Sequence, residues 1–301
     1  MFRVSDHDPV LVGLNPNAAP SVDAGGPYAV DEGGSLALTA SGSDPNAGDE
    51  LAYAWDLDGD GTFETDGRTV NFDASGLDGP TTANVSVRVT DAGGLSSTAS
   101  ISVAVRNVAP SVTASFSSAL LECGTTASLT VTFTDPAPAD THTAVIAWGD
   151  GTSSTVTSAT SPLTVTHSYA HSGSYAASVS VTDDDGGVGS AAASVAQAYA
   201  TTGLRPPLRP GTNVVVKSGS TVPVKIAYAD CSGAPPTAIA PVATVIYNGT
   251  VVATGTLVNK AGVWQWNLKT GSLPTKTGTY TVTVTVPSTG QTDSATFTLR
   301  R

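Results

Sequence analysis

Only 13% of this 301-residue sequence is charged, aromatic residues amount to 6%, and no lysine occurs before Lys217. The scarcity of Lys, Arg and Glu removes the usual surface of amphipathic helices. No long stretch repeats its apolar residues every 3.6 positions, so the composition is not that of a helical protein. No run of 18 apolar residues occurs, which excludes a membrane-spanning helix. So few aromatics argue against long aromatic binding grooves. Phosphate loops, dinucleotide fingerprints and zinc-ligand spacings are missing, which leaves those chemistries without a carrier. None of the histidines (His7, His142, His167, His171) stands in a Gly-x-Ser-x-Gly context or beside a cysteine partner. The two cysteines, Cys123 and Cys231, fall in different predicted domains. A bridge would clamp those domains together, so two free buried thiols are the expectation, and the count says little about compartment.

What the chain has in abundance is Gly, Pro, Ser, Thr, Ala and Val, arranged as short Val/Thr alternations. These are strand signals, and the fold class expected is all-β. Charge is split along the chain. Residues 1–196 carry 23 acidic and 4 basic side chains, a net of −19, whereas residues 197–301 carry 2 acidic and 9 basic, a net of +7. The acidic part repels nucleic acid and attracts divalent cations. The basic part suits an anionic polymer, or docking on its acidic neighbours.

Two segments repeat one pattern at a spacing near 90 residues. Each opens on Ala-Pro-Ser-Val (Ala19–Val22, Ala109–Val112). Each continues through a Ser/Thr/Leu strand to an acidic proline loop (Ser43-Asp-Pro45, Thr134-Asp-Pro136) and a tryptophan strand (Tyr53-Ala-Trp55-Asp56, Ile146-Ala-Trp148-Gly-Asp150). Each closes on Val-Thr-Asp followed by glycines (Val89–Gly94, Val181–Gly187). Short strands separated by turns at this spacing describe one antiparallel sandwich per repeat. Trp55 and Trp148, with Tyr53 and Ile146 two residues back, are predicted core positions.

The Trp-Asp and Trp-Gly-Asp-Gly turns, the Val-Thr-Asp corners, and His167-Ser-Tyr169 with Gly173-Ser-Tyr175 make both segments resemble polycystic-kidney-disease (PKD) domains, an immunoglobulin-like sandwich. The second copy matches more cleanly, because the first lacks the His-x-Tyr strand. Further on, Lys217-Ser-Gly-Ser-Thr-Val-Pro-Val-Lys225 and alternating strands such as Gly278–Val286 resemble a C-terminal immunoglobulin-like module, PxKD, of large secreted bacterial proteins. The expected layout is therefore a short tail (1–18), two PKD-like domains (19–107, 108–197), a Pro-rich linker (198–212) and a PxKD-like domain (213–301): three tandem immunoglobulin-like β-sandwiches.

Asp56-Leu-Asp58-Gly-Asp60-Gly-Thr-Phe-Glu64 is the strongest local motif. Carboxylates at alternate positions with a glycine after them can fold into one oxygen cage, and charge and spacing suit Ca2+. It departs from an EF-hand loop, since position twelve is Gly67, and a solvated acidic turn is the alternative. The PKD resemblance implies a second, overlapping cage from Asn17, Asp56, Asp58 and Asp91. In the second repeat the matching residues are Asn107, Asp150 and Asp183, a weaker site because Gly149 replaces Asp56. Such cations would stiffen a domain junction. Trp264 and Trp266 share one face of a strand near Lys260 and Lys269, and either form a platform for a polysaccharide or lie in the core. His167 matches the PKD His-x-Tyr strand and is expected to be structural.

The first residues, Ser5-Asp6-His7-Asp8-Pro9-Val10 running into Leu11–Leu14, resemble the last strand of the endonuclease/exonuclease/phosphatase family. That implies the end of an upstream catalytic domain, with His7 a relic of a site whose other parts are missing. The function expected is a non-catalytic accessory region of a secreted bacterial enzyme, extracellular or on the cell surface. It would be a monomer without a membrane span, working as calcium-stiffened spacer and as attachment module for a polymer or the cell envelope. A hydrolase with an unrecognised site and a purely structural stalk are the alternatives.

Overall fold

The computed structural model describes residues 16–46, 48–236 and 238–301; the nuclease-like tail with His7 lies outside them. Among the described residues the chain is strand throughout, apart from one 3-10 turn at Thr270–Ser272. It forms three tandem immunoglobulin-like β-sandwiches whose five-stranded sheets share one wiring. In the first, a five-stranded sheet runs in the order Tyr28–Asp31, Ser96–Arg106, Thr81–Thr90, Ala52–Asp56 and Thr65–Asp66. It is accompanied by the pairs Ser21–Asp23 with Ser41–Ser43 and Ser35–Thr39 with Thr69–Asp73. The second has a five-stranded sheet (Leu120–Leu121, Val188–Gln197, Gly173–Thr182, Thr143–Ala147, Ser153–Val156) and a three-stranded one (Ser111–Phe116, Ala127–Thr134, Leu163–His167). The third has a five-stranded sheet (Asn213–Lys217, Thr292–Arg300, Gly278–Thr285, Val242–Tyr247, Thr250–Thr256) and a four-stranded one. In all three, the outermost strand of the five-stranded sheet lies parallel to the last strand of the sandwich.

Alternation along the strands builds the cores. Thr81–Thr90 buries Val85, Val87 and Val89 against Trp55, while Gly173–Thr182 buries Ala177, Val179 and Val181 against Trp148. Both tryptophans are fully buried, and both find an acceptor for the indole N–H: Trp55 donates to Gly67 O at 3.0 Å and Trp148 to Ser154 Oγ at 2.9 Å. Each buried ring satisfies its one polar group and adds apolar area on the order of 200 Å² to its core.

The chain divides into two compact units. One comprises the residues up to Pro110 together with 135–141 and 183–187; the other comprises 111–134, 142–182 and 188–301. Two expectations change in the second unit. The stretch 198–212, expected as a Pro-rich linker, supplies a strand, Ala200–Leu204, antiparallel to Thr221–Ala229 and bulged between Thr201 and Leu204. Its Thr/Leu residues were outweighed by the prolines that follow them. Cys123 and Cys231 are not free thiols but a disulfide, with Cα atoms 5.4 Å apart across a sequence separation of 108. Assignment to different domains does not keep two cysteines apart when both domains lie in one compact unit.

Candidate metal centres and the polar sites around them

The Asp56 loop is shaped by its own backbone. Asp56 leaves the tryptophan strand 4% exposed, and its two carboxylate oxygens accept the amides of Gly59 (2.7 Å) and Gly61 (3.0 Å). Asp58 accepts the Asp60 amide and Asp60 the Thr62 amide. Gly59 and Gly61 both sit at positive φ, +73° and +90°, where an L side chain is strained. The result brings carboxylate oxygens of Asp56, Asp58 and Asp60 within 4.8 Å of one another. Glu64 is not in this group; it is exposed on the returning chain, with its amide bonded to Trp55 O.

The overlapping cage implied by the family resemblance is not formed, and strand register explains why. Ala52 pairs with Thr90 and Asp56 with Ser86. Asp91 therefore lies one residue beyond the start of the tryptophan strand and Asp56 at its finish, about 16 Å apart along the strand at roughly 3.3 Å per residue. One calcium ion with ligands at about 2.3–2.6 Å cannot reach both. Asp91 instead gathers with Asp44 and Asp49, their oxygens within 4.8 Å. Asn17 donates to Asp91 Oδ2 at 3.0 Å, and the Leu95 amide donates to Oδ1. Asp44 Oδ2 is buried there without a hydrogen-bond partner. Asp44 and Asp49 belong to the acidic proline loop, a repeat feature whose carboxylates the sequence reading left unassigned.

The second repeat splits in the same way. Asn107 donates to both oxygens of Asp183 at 3.3 Å, and Asp183 also accepts the Gly187 amide. Asp150 is elsewhere, because Thr143 pairs with Thr182 but Ala147 with Ser178. Its Oδ2 lies 2.7 Å from His167 Nε2, and its Oδ1 accepts both Thr152 N–H and Thr152 Oγ1–H. Burial alone would raise the Asp150 pKa; the bonds from Thr152 and His167 outweigh it and hold the carboxyl down at about 2. His167 stacks on Trp148 (4.7 Å, 10°) and meets Tyr169 edge-on, and Tyr169 Oη donates to Trp148 O. The His-x-Tyr motif is thus a polar clasp over the core tryptophan.

In the third sandwich the two-indole platform is not formed. Trp264 and Trp266 share a face, as alternation requires, but that face looks into the core. Trp264 is 9% exposed and Trp266 packs on Gly255, where a Cβ would come within 2.0 Å of the ring. Lys260 pairs across from Val263 and Lys269 across from Thr221, at opposite ends of the strand and both exposed. Lys260 lines an open depression of about 390 Å³ with Arg205, Pro206, Lys225, Val263 and Gln265.

A polar clasp that sequence reading missed joins the second and third sandwiches beside the disulfide. His171 Nδ1 is 2.7 Å from Asp230 Oδ2, and Asp230 also accepts the Ser172 amide and Ser232 Oγ–H. These bonds and His171 lower the Asp230 pKa against the opposing effect of burial. The Ser172 hydroxyl donates to Ala198 O, so neither serine is turned to the exposed histidine ring as a nucleophile would be. No signal in the sequence pairs His171 with a residue 59 positions away.

The PKD domain family profile matches residues 17–105 and 107–198, together more than half of the chain. No curated protein matches. Among solved structures, the chain is similar to the titin I-band fragment I67–I69 (13% identity, 94% of this chain and 99% of that one, TM-score 0.30). It is also similar to extracellular domains 3–5 of Drosophila OTK (9%, 94% and 99%, 0.35) and to a tetra-tandem repeat from the extending region of a large adhesion protein (20%, 94% and 74%, 0.34).

Proposed function

Because the chain belongs to the PKD domain family, with two tandem copies ahead of a third immunoglobulin-like sandwich, we propose that it is a non-catalytic accessory region of a secreted bacterial enzyme, holding Ca2+ to stiffen itself as a spacer. The observation that carries the calcium part is the Asp56 loop. Asp56 spends its oxygens on the loop's own amides, which leaves Asp58 and Asp60 held beside it as an oxygen-only donor set. Calcium takes 6–8 oxygens at about 2.3–2.6 Å and tolerates irregular geometry, so water would complete its shell. The Asn17–Asp91 group with Asp44 and Asp49 offers a second donor set of the same kind. Ions bound there stabilise the folded chain by mass action and tie loop to strand.

Attachment to an extracellular polymer is the second half of the proposal. With both indoles of the third sandwich turned inward, polymer contact falls to the basic surface around Arg205, Lys225 and Lys260. The same inward turn favours a plain stalk as the competing reading. A depletion assay separates the two. The purified chain is mixed with chitin, cellulose, peptidoglycan, collagen and DNA, in calcium or chelator, and each mixture is assayed for released product. Binding without product is expected; no binding to any polymer leaves the stalk, and product release overturns the non-catalytic reading.

A further inference from the structure

The two repeats use their acidic proline loops differently. In the first, Asp49 sits with Asp44 and Asp91 of its own repeat. Its counterpart by position in the second is Asp140, in a stretch that packs within the same compact unit as the residues up to Pro110. Asp140 oxygens lie within 4.8 Å of those of Glu32 and Asp78 in one group, of Asp184 and Asp185 in another, and of Asp135 and a His142 ring nitrogen in a third. Both Asp140 carboxylate oxygens are sealed from solvent and meet no hydrogen-bond donor. Among the described residues no lysine or arginine is ion-paired with Glu32, Asp78, Asp140 or Asp185.

The surroundings fix this arrangement. Glu32 is 2% exposed, and its two oxygens each accept a backbone amide, Gly79 and Val108, both at 2.7 Å. Asp184 Oδ1 accepts the Thr141 amide at 2.8 Å. These amides fix Glu32 and hold Asp184 beside Asp140, while Asp78 and Asp185 reach the group from the surface. A sealed carboxylate without a donor is strongly disfavoured while charged and unpartnered, so it calls for a proton or a cation. Burial, with the charges of Asp135, Glu32 and Asp78, pushes the Asp140 carboxyl up to about 7.

We propose that Glu32, Asp78, Asp140, Asp184 and Asp185 form a further calcium centre, with Asp140 as the ligand shared between its two halves. The donor set is all oxygen and strongly anionic, which suits a hard divalent cation. The spread of the carboxylates suits calcium better than the compact octahedron of magnesium. Bound there, the ion ties the first repeat's Glu32 and Asp78 to the second repeat's Asp140, Asp184 and Asp185. The inference deepens the calcium part of the proposed function and rests on it, but uses none of the residues of the Asp56 loop.

The test is calcium titration of the full chain by calorimetry, with magnesium as control, on wild type, Asp78→Asn/Asp185→Asn and Asp58→Asn/Asp60→Asn. Circular dichroism melts in chelator establish that each variant folds. The Asp78/Asp185 pair should lose one or more calcium equivalents, or weaken them at least tenfold, while the Asp58/Asp60 pair loses a different one. Full stoichiometry and unchanged affinity in the folded Asp78/Asp185 variant would overturn the inference. Loss only in the Asp58/Asp60 variant leaves the proposed spacer intact and sinks this centre. Loss only in the Asp78/Asp185 variant does the reverse for the Asp56 loop.

Discussion

The two repeats end their tryptophan strands on the same topological point and furnish it differently. In the first, Trp55 runs into Asp56, which folds a glycine-containing loop over itself and leaves three carboxylates converging. In the second, Trp148 runs into Gly149 and Asp150, and the single carboxylate is taken by His167 and Thr152. One turn is built with an excess of negative charge; the other supplies its own counter-group and lays it on the tryptophan. A shared fold thus fixes where a polar turn stands over the core but not what neutralises it. On the proposed reading the first turn answers to calcium and the second to pH.

The largest change expected comes from removing the covalent brace of the unit that holds the second turn. Cys231→Ser opens a loop spanning a sequence separation of 108. The loss should be about 2–5 kcal/mol in denaturant unfolding of that unit. The calcium response of the first turn should be unmoved. A calcium response that disappears with the disulfide would mean the two turns are not independent.

A direct attempt to turn one site into the other is Gly149→Asp. Sequence comparison makes Gly149 look like a missing ligand. Yet it sits at φ +83°, and a Cβ there would come within 2.6 Å of Ala176 O. Strain of this kind costs on the order of 1–3 kcal/mol, so the variant should melt lower without gaining calcium affinity. A variant of wild-type stability that binds an extra ion would show that the turns differ only in composition.

These examples mark what the sequence could and could not tell. Period-two alternation placed Trp55 and Trp148 in cores, and the repeated motifs placed the Val-Thr-Asp residues at corners and His167 on a strand, because those signals are local. The cage of Asn17, Asp56, Asp58 and Asp91 failed because it needed the register of Ala52 against Thr90, which no local pattern encodes. For Trp264 and Trp266, alternation gave a common face but not which side of the sheet is covered. Cys123 with Cys231 and His171 with Asp230 join residues 108 and 59 positions apart, and nothing flanking them announces the pairing. Glu32 reads as one more surface acid; only the fold delivers the amides of Gly79 and Val108 to it.

The pH side of the comparison can be sharpened at Asp150. Its carboxyl is held down at about 2 from an ordinary 3.8. A depressed carboxylate pKa gives stability that is present above the unfolded value and lost as pH falls from about 4 through about 2. Asp150→Asn should cost about 1 kcal/mol at pH 7, the size of a typical hydrogen-bond loss, and should flatten the acid limb of the stability curve. An acid limb unchanged by the substitution would remove Asp150 as its source.

The smallest effect belongs to Asp58→Asn in the first turn, and its smallness is the point. Asp58 is exposed, and its one bond in the loop accepts the Asp60 amide at 3.2 Å, a role an asparagine oxygen fills equally well. In chelator the variant should therefore unfold within about 0.5 kcal/mol of wild type, as surface substitutions usually do. In calcium the two should part, because a neutral amide is a poorer ligand than a carboxylate beside Asp56 and Asp60. The stabilisation calcium gives at a fixed excess falls with the logarithm of the weakened affinity. Equal melting temperatures in chelator and unequal ones in calcium would assign the loop to the ion. Equal melts in both would return Asp56, Asp58 and Asp60 to a solvated acidic turn, and the contrast between the repeats would then reduce to one histidine.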